Sequence, residues 1–198
     1  LIKKKLVVVP SNSFPAIPSA VIRAGLNLLV LDIDSTTGNI SLDALKKINK
    51  KNIGCIFLTH YGGLPVNIDA IKKIVNKETL IFEDCAGALG SFYNHKSSLG
   101  SKGDFACWSF DPMKMITCGE GGVAYIKNKK IYESFSENLY LGLKRSQKYG
   151  INAASRGDKW WGYQLKNYGT RSVFTEINAS IGLPQLENIN KILKISQE

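Results

Sequence analysis

Three residues stand out for chemistry: Asp84, Ser109 and Lys114. Asp84 follows Leu80, Ile81, Phe82 and Glu83 and leads into Cys85, Ala86, Gly87 and Ala88. An apolar run that ends in a carboxylate reads as a buried strand delivering that group to the edge of a sheet, with small residues leaving space beside it. Such a carboxylate is either satisfied by backbone or set to hold a cationic ring nitrogen of a cofactor in its protonated form. Ser109 lies at the end of the run from Phe105 to Phe110, where a hydroxyl and nearby N–H groups suit a phosphate. Lys114 stands between Met113 and Met115. Apolar neighbours disfavour an ammonium against the free amine, and the free amine is a Schiff-base nucleophile. The plain alternative is a lysine snorkelling from the surface, followed by a bare turn at Gly119-Glu120-Gly121-Gly122. That turn lacks the Lys-Ser or Lys-Thr ending of a nucleotide P-loop, and no GxGxxG fingerprint follows the first strands.

The elements that position these groups alternate. Strands are expected at Leu6 to Val9, Leu28 to Ile33, Ile53 to Leu58, Leu80 to Phe82, Phe105 to Phe110 and Val123 to Ile126. Helices are expected at Ile17 to Ala24, after caps at Ser41 and Asn67, and at Ile131 to Leu141. Phe174 to Ile195 reads as a closing helix broken at Pro184. Gly142 to Gly169 has weak periodicity and the pair Trp160-Trp161, which suggests an irregular excursion or interface segment. Strands and helices in turn predict an α/β fold, a three-layer sandwich around a mostly parallel mixed sheet, and such sheets bind ligands beyond the carboxyl ends of their strands. Ser11, Asp32, His60 and Asp84 recur at those ends.

With 198 residues, 44% of them apolar and 21% charged, the composition is that of a globular domain, neither disordered nor fibrous. The net charge of +10 is spread, with only Lys3 to Lys5 forming a tight run, so nucleic acid is not indicated as a partner. No apolar stretch is long enough to span a membrane, and the first residues do not read as a secretion signal, so a cytoplasmic protein is expected. Cys55, Cys85, Cys107 and Cys118 lack metal-type pair spacing and read as buried thiols. With His60 and His95 the only histidines, no metal site is expected.

The runs Glu83 to Gly90, Gly103-Asp104, and Ser109 through Lys114 to Gly122 together resemble the signature of DegT/DnrJ-type (StrS-like) sugar-nucleotide aminotransferases, which are fold-type I pyridoxal-phosphate enzymes. The resemblance extends back through His60 to Pro65 with Asp69 and through Pro10 to Gly25 into Val30 to Asp34, and forward to Gly169 and to Thr175 through Leu186, so it covers nearly the whole chain. It implies roles for individual residues. Lys114 would bond the cofactor at C4′ and shuttle its proton, and Asp84 would pair with the pyridine nitrogen. Ser109 would lie near the phosphate and Phe14 against the ring. The implied reaction moves an amino group from a donor such as glutamate to a keto group of a nucleotide-linked deoxysugar, in amino-sugar and polysaccharide biosynthesis. A homodimer is implied, with Arg171 reaching the phosphate of the neighbouring subunit's cofactor; Trp160-Trp161 are a candidate for the contact and read equally as core filling.

The sequence departs from the family pattern at four positions. Gly87 stands where members usually carry Gln or His against the phenolic side of the ring. Arg171 stands where Asn or Lys is common, Val173 where many have Arg, and Met115 where a polar residue is usual. The family is roughly twice as long, so residues 1–198 read as a partial large domain, with 174–197 linking toward a small C-terminal domain. The competing readings are an inactive truncated homologue with a binding or regulatory role, and a pyridoxal-phosphate sugar dehydratase. Dehydratases of the family tend to replace the lysine with histidine, and this chain retains Lys114.

Overall fold

The computed structural model describes residues 4–143, 165 and 167–196. They divide into two compact units, one formed by residues 1–125 with 177–198 and the other by residues 126–176.

The first unit is an α/β assembly around a mixed, mostly parallel sheet. Its strands are β1 (Leu6–Pro10), β2 (Asn27–Leu31), β3 (Ile53–Thr59), β4 (Leu80–Asp84), β7 (Phe105–Ser109) and β8 (Gly122–Ile126), in spatial order β2-β1-β3-β4-β7-β8. The pairings β1 with β2, β1 with β3, β3 with β4 and β4 with β7 are all parallel. Branched residues such as Val7, Val8, Val9, Ile53 and Ile56 suit strands that are covered on both faces. Alternation then sorts the side chains. Val7, Val9 and Cys55 pack with Val21 of α1 (Ala16–Arg23) on one face. Val8, Ile56, Leu58 and Ile81 pack on the other with Leu45 of α2 (Leu42–Lys47) and Ile68 and Ile71 of α3 (Ile68–Ile74). The three layers expected from the sequence are therefore present.

Both expected caps form: Ser41 Oγ accepts the Ala44 N–H at 3.2 Å, and Asn67 Oδ1 accepts the Ala70 N–H at 3.0 Å. The short hairpin β5 (Phe92–Asn94) and β6 (Ser97–Ser98) adds to the expected elements, because three residues and two carry no readable period. On the α1 face the rings of Phe57, Phe82 and Phe105 stack in a row, with centroids 4.4 and 5.8 Å apart, beside an apolar cleft of about 220 Å³.

The C-terminal helix corrects the expected break at Pro184. Pro184 lies inside α5 (Glu176–Glu187), and the chain breaks at Asn188 before α6 (Ile189–Ile195). Pro184 lacks the N–H that would reach Ser180 O, and side-chain amides add bonds beside it: Gln185 Nε2 donates to Ile181 O at 2.7 Å, and Asn188 Nδ2 to Pro184 O at 2.8 Å. The second unit holds α4 (Lys129–Leu139) and an antiparallel bridge between Tyr140 and Arg171. Of the expected irregular excursion 142–169, residues 144–164 and 166 lie outside the described residues, and Trp160 and Trp161 with them. No helix among the described residues is long and apolar enough to cross a membrane.

Candidate active site

Parallel pairing puts the carboxyl ends of β1, β2, β3, β4 and β7 along one edge of the sheet. The order reverses around β1, whose two neighbours are β2 and β3, so this edge carries a topological switch point between β1 and β3. Four of the expected functional residues leave it. Asp84 ends β4 and is buried, whereas Ser109 ends the adjacent β7, whose Cys107 is in register with Asp84. Lys114 follows in the loop leaving β7, and Phe14 follows β1 with its ring 74% exposed.

Asp84 Oδ1 accepts the Ala86 N–H at 3.0 Å, and Oδ2 has a long contact with the Thr59 hydroxyl at 3.4 Å. None of the ion pairs among the described residues involves it. A buried carboxylate with one weakly satisfied oxygen and no cation is suited to a positively charged partner from outside the chain. Gly87 beside it is exposed, and a Cβ there would meet nothing within 4 Å, so the place of the family's Gln or His is open space.

The lysine loop is built by backbone. The Phe110 N–H donates to Gly121 O at 2.9 Å, the Cys118 N–H to Phe110 O at 3.0 Å and the Lys114 N–H to Asp111 O at 3.0 Å. Ser109 Oγ accepts the Asp111 N–H at 3.3 Å. The apolar setting expected for Lys114 from its neighbours is not formed by them: Met113 is 90% exposed and Met115 is 38% exposed, while Lys114 itself is half-buried. The tight turn sends the two methionines outward and lets Ile116 and Cys118 fill the interior.

Helix α5 grips the far side of this loop. Gln185 Oε1 accepts the Thr117 N–H at 3.1 Å while its Nε2 donates to Thr117 O at 2.8 Å, and Asn178 Nδ2 donates to Cys118 O at 2.7 Å. Gly182 is required for this approach, since a Cβ there would come within 2.3 Å of Cys118 Sγ. Replacing Gln185 with leucine keeps the helix but strands the Thr117 N–H. A loss of about 1–2 kcal/mol is expected, together with faster hydrogen exchange at Thr117 and Cys118 than in β1. Unchanged exchange there would show that the clamp does not hold the loop.

A second group of polar side chains lies behind Asp84. Glu83 is fully buried, as is His60 at the end of β3. Glu83 Oε2 accepts from His60 Nε2 at 3.0 Å, from the Gly100 N–H at 2.8 Å and from the Tyr93 hydroxyl, and Oε1 accepts from the N–H groups of Lys102, at 2.8 Å, and Gly103. Burial pushes the Glu83 carboxyl up, but the bonds from His60, Tyr93, Gly103 and Gly100 outweigh it and hold the group at about 2. His60 Nδ1 accepts the Val66 N–H at 3.1 Å, so the ring proton lies on Nε2, toward Glu83. His60, Glu83 and Cys85 are close enough to invite a metal reading. With Nδ1 accepting a backbone donor and Nε2 carrying the proton, His60 has no lone pair left to give a metal.

Of the remaining expectations, Ser11 and Asp32 are exposed, and Asp32 Oδ1 is used by the Ile33 N–H at 2.8 Å. Arg171 falls in the second unit, where its guanidinium lies over the Tyr140 ring, 5.8 Å from the centroid. All four thiols are free. Three are buried and Cys107 is half-buried, and burial pushes Cys55 and Cys107 up to about 12, away from reactivity.

The model of the DegT/DnrJ/EryC1/StrS aminotransferase family matches residues 2–198. The chain belongs to that family. It is 31% identical over 193 residues to the dTDP-4-dehydro-2,3,6-trideoxy-D-glucose 4-aminotransferase of Saccharopolyspora spinosa, a match covering 97% of this chain and 49% of the relative. Among solved structures it is similar to the sugar aminotransferase CalS13 of Micromonospora echinospora, with a TM-score of 0.79 and 27% identity over 94% of this chain and 50% of that one. It is also similar to Spr1654 of Streptococcus pneumoniae in its PMP form, with a TM-score of 0.83 and 26% identity over 96% of this chain and 52% of that one. The fold is thus that of half of a sugar aminotransferase, and the chain spans about half the length of the curated relatives it matches.

Proposed function

We propose that this chain is the large-domain part of a pyridoxal-phosphate aminotransferase that moves an amino group from a donor such as glutamate to a keto carbon of a nucleotide-linked deoxysugar. The reading is carried by one observation: a buried, cation-free carboxylate, a hydroxyl and a lysine loop leave the same edge of two adjacent parallel strands. Family membership supports the chemistry. The name of the Saccharopolyspora relative supports a nucleotide-sugar ketone as the acceptor.

The residues present fit the cofactor. Asp84 supplies the negative charge that keeps a ring nitrogen protonated, and the Thr59 hydroxyl and Ala86 N–H orient it. Ser109 offers a hydroxyl at the strand end for the phosphate. Lys114 would hold the cofactor through its ε-amine and, with that amine free, would take and return the proton at the carbon that gains or loses nitrogen. When bound, pyridoxal phosphate supplies the electron sink for that proton transfer. Phe14 is assigned to the ring's face. Gly87 leaves the phenolic side open to water or to a substrate group. Arg171 is assigned to the phosphate of the partner subunit's cofactor in a homodimer.

The test is to add pyridoxal phosphate to the purified chain, reduce with borohydride and map the modified residue. Label on Lys114 is expected. Asp84→Asn is expected to fold normally and to weaken cofactor binding at least about tenfold, because a neutral amide cannot hold a protonated ring nitrogen as a carboxylate does. Label spread over surface lysines, or an unchanged affinity in Asp84→Asn, would reject the assignment.

A further inference from the structure

Glu83 is the most heavily bonded side chain described here, and the chemistry assigned above does not use it. Its five hydrogen bonds come from four separate places: His60 after β3, Tyr93 in the β5–β6 hairpin, Gly100 just after that hairpin, and Lys102 and Gly103 in the approach to β7. Glu83 and Asp84 are consecutive in β4, so their side chains emerge on opposite faces of the sheet. The backbone around Asp84 is tied to His60 as well and to β7: the His60 N–H donates to Asp84 O at 3.1 Å, and the Cys85 N–H to Cys107 O at 2.9 Å. Gly103 is held so close that a Cβ there would lie 3.0 Å from Glu83 Oε1 and 2.9 Å from Ile81 O.

We propose that Glu83, with His60 and Tyr93, is a positioning device for the cofactor site: it locks the end of β4 from behind and thereby sets where the Asp84 carboxylate stands. The inference rests on the cofactor reading above. Glu83 does not touch the cofactor. It acts through the strand end that carries Asp84 and through His60, whose backbone N–H bonds Asp84 O in the plane of the sheet while its ring bonds Glu83 on one face. A carboxylate suits this task because it accepts from donors on both oxygens at once, which no neutral side chain does.

Tyr93→Phe is the variant of choice. It keeps the ring, which packs with Cys85, Ala88 and Leu99, and removes one of the five bonds. The measurements, on the full chain below its melting range, are the dissociation constant of pyridoxal phosphate and the circular dichroism of its lysine-bound visible band per bound cofactor. That band reports how the ring is held. Positioning predicts a dissociation constant raised about tenfold and a dichroic intensity altered at least about twofold. A purely structural Tyr93 would lower the melting temperature and leave both unchanged, which would overturn this inference alone. A wild-type chain that forms no lysine-bound band overturns the cofactor reading itself, and this inference falls with it.

Discussion

Lys114→Ala is expected to abolish borohydride-fixable attachment of pyridoxal phosphate and to lower amino transfer by about 10⁴-fold or more. The size of the effect follows from the local sequence. Between Phe110 and Gly122 there is no other amine, so nothing on this loop can replace the lysine as anchor or as proton carrier. The loop itself does not need the side chain. Its shape comes from the Lys114 N–H bond to Asp111 O, from Cys118 to Phe110 O, and from the grip of Gln185 on Thr117, all of which an alanine at 114 retains. The variant should therefore melt within a few degrees of the wild type, which separates lost chemistry from lost fold. Lys114→Arg should be as inactive, since a guanidinium stays charged and offers no free amine. Label at wild-type level in Lys114→Ala, mapped to any other residue, would remove Lys114 from the reaction.

The layout of the site could be read from the sequence because its determinants are local. Apolar triads followed by Asp84 and Ser109 mark strand ends, and Ser41 and Asn67 mark helix starts, each within a few residues. Glu83 carries no such local mark. In sequence it is one more acid beside Asp84; its importance lies in donors 10 to 23 positions away that only the parallel register of β3 and β4 and the hairpin bring together. His60 is legible as a strand-end polar residue, but its partner is not, because a side-chain bond across 23 residues leaves no period or spacing to read. Pro184 misled for a related reason. A proline normally ends a helix, yet here only the bond to Ser180 O is forgone while the amides of Gln185 and Asn188 add bonds to Ile181 O and Pro184 O, and a sequence pattern does not say where an amide will reach. The environment of Lys114 failed by geometry: flanking methionines look like an apolar wall until a tight turn points them outward.

Glu83→Gln is expected to cost about 3–5 kcal/mol at neutral pH, lowering the melting temperature by roughly 10 °C. Charge and shape both argue for a cost of this size. Glutamine offers one carbonyl and one NH₂ where the carboxylate offers two acceptors. One end of Glu83 faces three donors, from His60, Tyr93 and Gly100, and the other faces two, from Lys102 and Gly103. Whichever way the amide turns, its NH₂ meets at least two buried donors. His60 cannot relieve this by moving its proton, because Nδ1 already accepts the Val66 N–H. The pH dependence has a fixed sign. The Glu83 carboxyl is held at about 2, below its ordinary 4.5, so its contribution is fully present above about pH 4.5 and is lost as the pH falls through about 2. Glutamine has no proton to gain, and the stability gap between the wild type and Glu83→Gln should therefore narrow as pH falls across that window. Chemical denaturation of both chains at about pH 7, 5, 4 and 3 measures the gap directly. A gap that is absent at pH 7, or that stays constant down to pH 3, would mean that the five bonds to Glu83 do not hold the end of β4.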